Sequence, residues 1–143
     1  MTNTSSPKKR FLIIEDDKII NSSLQRKLKN LGFEVEGCFD GECGLKLLHE
    51  KRYDCIVLDL LMPIKDGFAV LTERDSTKSA LTPVYVLTSL NEEKRALATK
   101  FGAKKVFAKS EMSLSEVVEE LKREVGGEDG KIYYDMGLPS RIS

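Results

Sequence analysis

The sequence predicts an α/β fold in which a five-stranded parallel sheet is covered by helices on both faces. Between residues 9 and 125, short apolar runs that suit buried strands alternate with amphipathic stretches that suit helices. Acidic, hydroxyl or lysine side chains follow several of these runs directly. In an open parallel sheet the carboxyl ends of the strands share one edge, and ligands bind there.

The size and composition of the chain suit one globular domain. Of its 143 residues, 41% are hydrophobic, and 23 basic side chains balance 23 acidic ones. This balance gives no bias towards nucleic acid or an anionic membrane. No apolar run approaches the ~18 residues that a membrane-spanning helix needs, and the polar residues 1–10 do not resemble a secretory signal.

The cysteines and the single histidine predict neither a zinc site nor a disulfide framework. Cys38, Cys43 and Cys55 are an odd set without a CxxC pair, and Cys38 and Cys55 fall in predicted strands. We expect reduced thiols and a cytoplasmic protein, because disulfides are rare in the cytosol. His49 falls on a predicted helix, where we expect no special role.

Local signals mark the first strands and helices. Residues 11–14 are continuously apolar, as in a buried strand, and Gly32 is placed to end the helix that follows. Residues 33–38 alternate apolar with charged side chains, which favours an edge strand. Asp40 is a candidate N-cap for the second helix, which we expect to run to about residue 52.

The second half of the domain repeats this alternation around a central strand at residues 55–58, which Asp59 follows. Asn91 is a candidate N-cap, and Gly102 a candidate C-cap, for the fourth helix. The other predicted strands cover residues 83–87 and 106–108, and the third and fifth helices cover residues 68–77 and 111–125.

The order of the strands follows from the connections. Right-handed crossovers leave two common doubly wound sheets, the dinucleotide-binding type and the flavodoxin-like type. No GxGxxG sequence follows the first strand, so the dinucleotide-binding type lacks its fingerprint. We therefore predict a flavodoxin-like (βα)5 fold with strand order 2-1-3-4-5.

Polar side chains at the predicted strand ends form a candidate site for phosphoryl transfer. They are Glu15, Asp16, Asp17, Asp59, Thr88 and Lys109. Crowded carboxylates repel one another unless a cation neutralises them, and their oxygens suit Mg²⁺. A lysine and a hydroxyl group can neutralise and hydrogen-bond a phosphoryl group, and an aspartate can accept one as a nucleophile.

Four motifs at these strand ends resemble the signature of the receiver domains of two-component response regulators, such as chemotaxis regulators. In chain order they are LIIEDD at residues 12–17, DLLMPIKDG at 59–67, VLTS at 86–89, and Gly102-Ala103 through Lys109. The resemblance covers about residues 9–125 and therefore nearly the whole chain.

The resemblance implies roles in phosphoryl transfer for three residues. Asp59 matches the phosphoacceptor, Thr88 the hydroxyl that moves to the phosphoryl group, and Lys109 the lysine that contacts it. Such domains accept phosphoryl groups from a histidine on a sensor kinase or on a phosphotransfer protein. They also catalyse their own phosphorylation and dephosphorylation, without being conventional enzymes.

The resemblance also implies a site for Mg²⁺ (or Mn²⁺). Asp16 matches the direct metal ligand, and Glu15 matches the acid that holds metal-bound water. Asp59 and the backbone carbonyl of Leu61 complete the implied metal set. Asp17 lies one step beyond the acidic pair, and we expect it to cap a helix instead.

Three departures from the family pattern affect the expected switch. Val106 stands where the family usually has an aromatic residue, and Ser110 where it usually has proline. Leu61 and Leu90 are apolar and flank the expected phosphoryl position. We predict that they offer no hydrogen bond to an attacking water, so that the phosphorylated form is long-lived.

The residues after 125 differ in composition from the rest. The sequence GGEDG at 126–130 is typical of a flexible linker, and the residues after it are too few for a domain. We therefore divide the chain into a flexible tail at residues 1–8, a receiver domain at 9–125 and a linker-like tail at 126–143. An alternative for the C-terminal tail is a docking segment, which its paired tyrosines favour.

Our first functional hypothesis is a stand-alone receiver that signals by phosphorylation-dependent contact with a downstream protein or with a second copy. The alternative is a receiver-like interaction module that does not use phosphate. A Mg²⁺-dependent phosphatase is disfavoured because Asp59 lacks the second aspartate of a DxDxT motif. Direct DNA binding is not expected, because the sequence has no helix-turn-helix pattern outside the α/β unit and no basic stripe.

Overall fold

The computed structural model describes residues 8–133, whose strands form one parallel sheet. The strands are β1 (Arg10–Ile14), β2 (Glu34–Cys38), β3 (Cys55–Leu58), β4 (Val84–Thr88) and β5 (Lys105–Ala108). Their spatial order, β2-β1-β3-β4-β5, confirms the predicted flavodoxin-like arrangement and places β2 at an edge. The helices are α1 (Lys18–Asn30), α2 (Gly41–Glu50), α3 (Gly67–Glu73), α4 (Glu92–Lys100) and α5 (Leu114–Tyr133), with a 3₁₀ helix at Arg74–Ser76.

The two faces of the sheet carry separate apolar layers, because successive side chains of a strand point to opposite faces. One layer packs against α2 and α3 and includes Leu12, Ile14, Leu48, Leu58 and Val70. The other packs against α1 and α5 and includes Phe11, Ile13, Leu24, Val57 and Leu121. The central strands β1 and β3 are therefore covered on both faces, as their continuous apolar runs predict.

Short polar side chains cap the N-termini of the helices that start at the carboxyl edge of the sheet. Asp17 accepts hydrogen bonds from the backbone N–H groups of Ile19 and Ile20, both at 3.0 Å, and so caps α1 as expected. Asp40 and Asn91 cap α2 and α4 in the same way, also as expected. These caps define where each strand-to-helix loop ends.

The two glycines predicted to end α1 and α4, Gly32 and Gly102, directly follow the C-cap residues of these helices. Gly32 has a φ of 98° and Gly102 a φ of 112°, values that an L side chain rarely adopts. Helix α3 is shorter than predicted and gives way to the 3₁₀ helix. The reason is local, since the Ser76 and Thr77 hydroxyls donate to the carbonyls of Glu73 and Arg74, at 3.0 and 2.7 Å, and compete with α-helical bonding.

Helix α5 begins three residues later than predicted, because Ser113 and Glu116 form a reciprocal cap. The N–H of Glu116 donates to the Ser113 hydroxyl at 3.1 Å, and the N–H of Ser113 donates to the Glu116 carboxylate at 2.8 Å. This capping box is visible in the sequence as S-x-x-E, but it was not part of the prediction.

Helix α5 also continues past Val125 to Tyr133, so the segment 126–130 is helical. Composition alone predicted a linker from residue 126, and the division of the chain into a receiver domain and two tails stays a prediction. Glycine costs a helix about 1 kcal/mol relative to alanine, but unlike proline it keeps its backbone donor. Residues 1–7 and 134–143 lie outside the described residues, and with them lie the N-terminal tail and most of the proposed docking segment.

The cysteines depart from the expectation of reduced thiols. A disulfide joins Cys38 at the end of β2 to Cys43 in the first turn of α2, with Cα atoms 5.7 Å apart. The sequence pattern missed the pair because the short turn from β2 into α2 brings the two residues together. Cys55 is a free, buried thiol. Within the described residues, no helix is long and apolar enough to cross a membrane.

Candidate functional site

Three carboxylates meet at the carboxyl edge of the sheet. Carboxylate oxygens of Glu15, Asp16 and Asp59 all lie within 4.8 Å of one another, and we call this set the acidic cluster. Glu15 and Asp59 directly follow the paired strands β1 and β3, in which Ile14 is opposite Leu58. The backbone N–H of Asp59 donates to the Ile14 carbonyl at 3.0 Å, which extends the pairing to the site.

Lys109, which follows β5, crosses the sheet edge to reach the acidic cluster. Its Nζ lies 2.9 Å from a Glu15 oxygen and 3.1 Å from an Asp59 oxygen. Glu15 and Asp59 are buried, so both charges depend on partners within the protein. One lysine therefore forms ion pairs with two buried carboxylates.

The environment of Glu15 favours its protonated form. Burial, followed by the charge of Asp59, raises the pKa of Glu15 from 4.5 to about 7, against the opposing effect of Lys109. Burial alone would lower the pKa of Lys109, but its hydrogen bonds and charge interactions with Glu15 and Asp59 raise it above its usual value. Lys109 therefore only partly offsets the effects of burial and of the Asp59 charge on Glu15.

The β3–α3 loop folds tightly over Asp59. The N–H of Leu61 donates to Asp59 Oδ1 at 3.3 Å, and the N–H of Gly67 donates to the Leu60 carbonyl at 3.0 Å. A Cβ atom on Gly67 would lie only 2.4 Å from the Asp59 carbonyl oxygen, so only glycine fits there. In the same loop Ile64 has a φ of 68°, which is strained for a β-branched side chain.

Thr88 ends β4 and is fully buried, between β3 and β5 in the sheet. Its hydroxyl accepts a hydrogen bond from the N–H of Leu90 at 3.2 Å, and its carbonyl accepts one from the N–H of Lys109 at 2.8 Å. Arg95 in α4 donates to the Leu90 carbonyl at 2.8 Å and so holds the same loop. The peptide bond between Lys109 and Ser110 is trans, because the described residues contain no cis peptide bond.

The structure brings five of the predicted site residues into the acidic cluster or into contact with it: Glu15, Asp16, Asp59, Leu61 and Lys109. Thr88 lies at the same edge, whereas Asp17 caps α1. Sequence analysis overlooked Asn21, which is fully buried and bonded to the carbonyl of Glu15. The available signal was its spacing, since Asn21 lies three residues before Leu24 and so on the apolar face of α1.

Comparison with known proteins assigns this fold and site to a family. The family model for the response regulator receiver domain matches residues 11–122. The chain therefore belongs to the response regulator receiver domains, which confirms the resemblance seen in the sequence.

One curated relative is the transcriptional regulatory protein QseB of Haemophilus influenzae. It is 42% identical over 80 residues, which cover 56% of this chain and 36% of that protein. The chain spans about a third of the length of the curated relatives it matches. Because those relatives are longer, a stand-alone receiver remains a prediction.

Two solved structures share the fold over nearly their whole length. The receiver domain of a Francisella response regulator is 28% identical with a TM-score of 0.75, and the match covers 85% of this chain and 99% of that one. The Vibrio cholerae chemotaxis protein CheY4 is 25% identical with a TM-score of 0.74, over 82% of this chain and 98% of that one.

Proposed function

We propose that this receiver domain accepts a phosphoryl group on Asp59 from a phosphohistidine donor. The observation that carries the proposal is the buried Asp59 carboxylate, held beside two further acids and 3.1 Å from Lys109. An Asp59 oxygen would form the new bond to phosphorus while the bond from phosphorus to the donor imidazole nitrogen breaks. The electron pair of that bond returns to the nitrogen, so the donor regains a neutral imidazole.

The acidic cluster fits a hard divalent cation, Mg²⁺ or Mn²⁺. Its oxygens are close enough to share one ion. Burial, followed by the charge of Asp59, raises the pKa of Glu15, and a bound cation would favour its ionised form. We assign Asp16 and Asp59 as direct ligands, Glu15 as the acid that holds metal-bound water, and the Leu61 carbonyl as a further ligand. When bound, the ion would neutralise charge on the phosphoryl oxygens.

Lys109 and Thr88 complete the proposed chemistry. The ammonium of Lys109 already contacts Asp59 and can turn to a phosphoryl oxygen, where it would offset the added negative charge. The Thr88 hydroxyl can donate to the same group once its loop moves. Phosphorylation thus becomes a local change of charge that shifts the loop after β4.

The proposed partners follow from this chemistry and from the family. A sensor histidine kinase or a histidine phosphotransfer protein supplies the phosphoryl group, in the cytoplasm. A downstream protein or a second copy of the chain reads the phosphorylated surface. Direct contact with DNA is not proposed for residues 11–122, which match the receiver domain.

Intact mass tests the proposal directly. We expect wild-type protein with Mg²⁺ and a small acyl phosphate to gain the mass of one phosphoryl group, and Asp59→Asn to gain none. Asp17→Asn is the matched control, because it changes a neighbouring acid that caps α1 and should still be phosphorylated. If wild type gains nothing from the acyl phosphate or from a kinase, the phosphate-independent interaction module becomes the better hypothesis.

A further inference from the structure

Asn21 is a buried polar side chain that takes no part in the chemistry described above. It lies on α1, is 0% exposed, and has hydrogen-bond partners for both of its amide hydrogens. Its Nδ2 donates to the Glu15 carbonyl at 2.9 Å and to the Cys38 carbonyl at 2.8 Å. Its Oδ1 accepts from Gln25 Nε2 at 2.7 Å. One side chain thus ties α1 to the ends of both β1 and β2.

The carbonyl that Asn21 holds belongs to the peptide group between Glu15 and Asp16. A peptide group is planar, so fixing its carbonyl also fixes the direction of the Asp16 N–H. Two members of the acidic cluster extend from the two sides of this group. A rotation of the plane would therefore move both carboxylates relative to Asp59.

The neighbouring strand leaves room for this arrangement. A Cβ atom on Gly37 would lie 2.6 Å from Asn21 Oδ1 and 2.2 Å from Gln25 Nε2. Glycine weakens the interior of a strand, so its presence in β2 has a cost. The space that it leaves is filled by the two amide side chains.

From these contacts we infer that Asn21 is a positioning residue for the divalent-metal site. Its carboxamide holds the peptide between Glu15 and Asp16 in the plane that directs both carboxylates towards Asp59. This inference rests on the proposed function, because it concerns the same metal site. Asn21 itself does not contact the metal or the phosphoryl group.

A purely structural role would make a different prediction. If Asn21 only joined α1 to the sheet, its loss would lower the stability of the fold and leave the metal affinity of folded protein unchanged. The decisive quantity is therefore the affinity for a divalent ion, compared with that of a variant destabilised elsewhere on the same helix.

The test compares wild type, Asn21→Leu and Leu28→Ala. Leucine keeps roughly the shape of asparagine without its hydrogen bonds, and Leu28 is a fully buried residue of α1 outside the site. Mn²⁺ is titrated into each protein, and free Mn²⁺ is counted by electron paramagnetic resonance. We expect Asn21→Leu to bind roughly tenfold more weakly, as is typical when the residues that orient metal ligands are lost. Leu28→Ala should bind like wild type despite its lower stability.

A second measurement uses the metal-free protein. Amide hydrogen exchange at residues 15–17, relative to exchange elsewhere in the sheet, should accelerate in Asn21→Leu. In Leu28→Ala this ratio should stay unchanged, because lower global stability affects all protected amides alike. If Asn21→Leu does not fold, Gln25→Ala is the substitute, because Gln25 is half-buried and its loss frees only one side of the Asn21 amide. We expect it to weaken Mn²⁺ binding less than Asn21→Leu does.

The outcomes separate this inference from the proposed function. If wild type binds Mn²⁺ and Asn21→Leu binds equally well, Asn21 is only a structural link and the proposed function stands. If wild type binds no divalent ion, the proposed metal site and the positioning role both fail.

Discussion

Two lysines of this protein each bridge two carboxylates, yet only one of the two groups forms a candidate site. The buried cluster consists of Lys109, Glu15 and Asp59, with side chains 21%, 3% and 5% exposed. The surface cluster consists of Lys105, Glu120 and Glu124, with side chains 45%, 30% and 17% exposed. Lys104 and Arg123 also pair with Glu124 and Glu120, so among the described residues the surface cluster has cations nearby that the buried cluster lacks. Lys105 begins β5, and Lys109 directly follows it.

Burial gives the two clusters opposite electrostatics. In the surface cluster, the hydrogen bond from Lys105 lowers the pKa of Glu124, as in an ordinary ion pair. In the buried cluster, loss of water and the charge of Asp59 raise the pKa of Glu15 to about 7. The comparison teaches that this acidic site gets its properties from enclosure at the sheet edge and not from its residue types alone.

The largest expected difference between the clusters is the effect of removing the lysine. At pH 8, Lys109→Met should destabilise the fold by about 4 kcal/mol, because it leaves two buried carboxylates without a cation. Lys105→Met should change stability little, because Lys104 and Arg123 still pair with its two partners at the surface. Denaturant unfolding measures both, and equal losses would contradict the comparison.

The pH dependence of stability should come mainly from the buried cluster. Because folding raises the pKa of Glu15 from 4.5 to about 7, the folded state binds a proton more tightly than the unfolded state. The resulting stabilisation is complete below about pH 4.5 and is lost as the pH rises through 7. We expect a loss of roughly 3 kcal/mol in metal-free buffer. Asp59→Asn should make this loss smaller, because it removes the charge that helps to raise the pKa of Glu15. An identical pH profile would show that the Asp59 charge does not contribute to this shift.

The apolar side chains of Leu61 and Leu90 should lengthen the lifetime of the phosphorylated form, because they cannot hydrogen-bond an attacking water. Replacing Leu61 and Leu90 together by glutamine should speed hydrolysis roughly tenfold, because an amide can orient an attacking water. Leu81→Gln is the control, since Leu81 is 97% exposed and precedes β4 at the opposite edge of the sheet. The loss of phosphoryl mass over time is the measurement, and an unchanged rate in the double variant would reject the idea.

The smallest expected effect concerns the loop beside the buried cluster. Ile64 has a φ of 68° and is 75% exposed, so its strain is not offset by packing. Ile64→Asn should stabilise the fold by about 1 kcal/mol, because asparagine tolerates this conformation better. Ile19→Asn is the control, as Ile19 is 80% exposed but helical, and it should bring no gain in the melting temperature.

Much of the fold and of the candidate site could be predicted from the sequence, because the signals are local. The continuous apolar run of β1 indicates a strand covered on both faces, and Asp17, Asp40 and Asn91 indicate helix starts. The acids after β1 and β3 could be predicted to lie close together, because parallel strands all point the same way. The family resemblance then supplied candidate roles for these residues, and those roles remain proposals.

Other features depend on contacts between distant parts of the chain. The Cys38–Cys43 disulfide follows from the turn between β2 and α2, and no spacing rule predicted it. The role of Asn21 became visible only once two strand ends were found beside α1. The helical backbone of residues 126–130 was not predicted either, because composition describes only the preference of isolated residues.

The sequence by itself determined the order of strands and helices, the caps and the set of polar residues at one sheet edge. These follow from hydrophobic periodicity and from the parallel direction of the strands. Only the tertiary structure decided that Lys109, after β5, is enclosed with two carboxylates while Lys105, at the start of β5, stays at the surface. Enclosure depends on neighbours that are far away in the sequence, and loss of water is what shifts the pKa of Glu15.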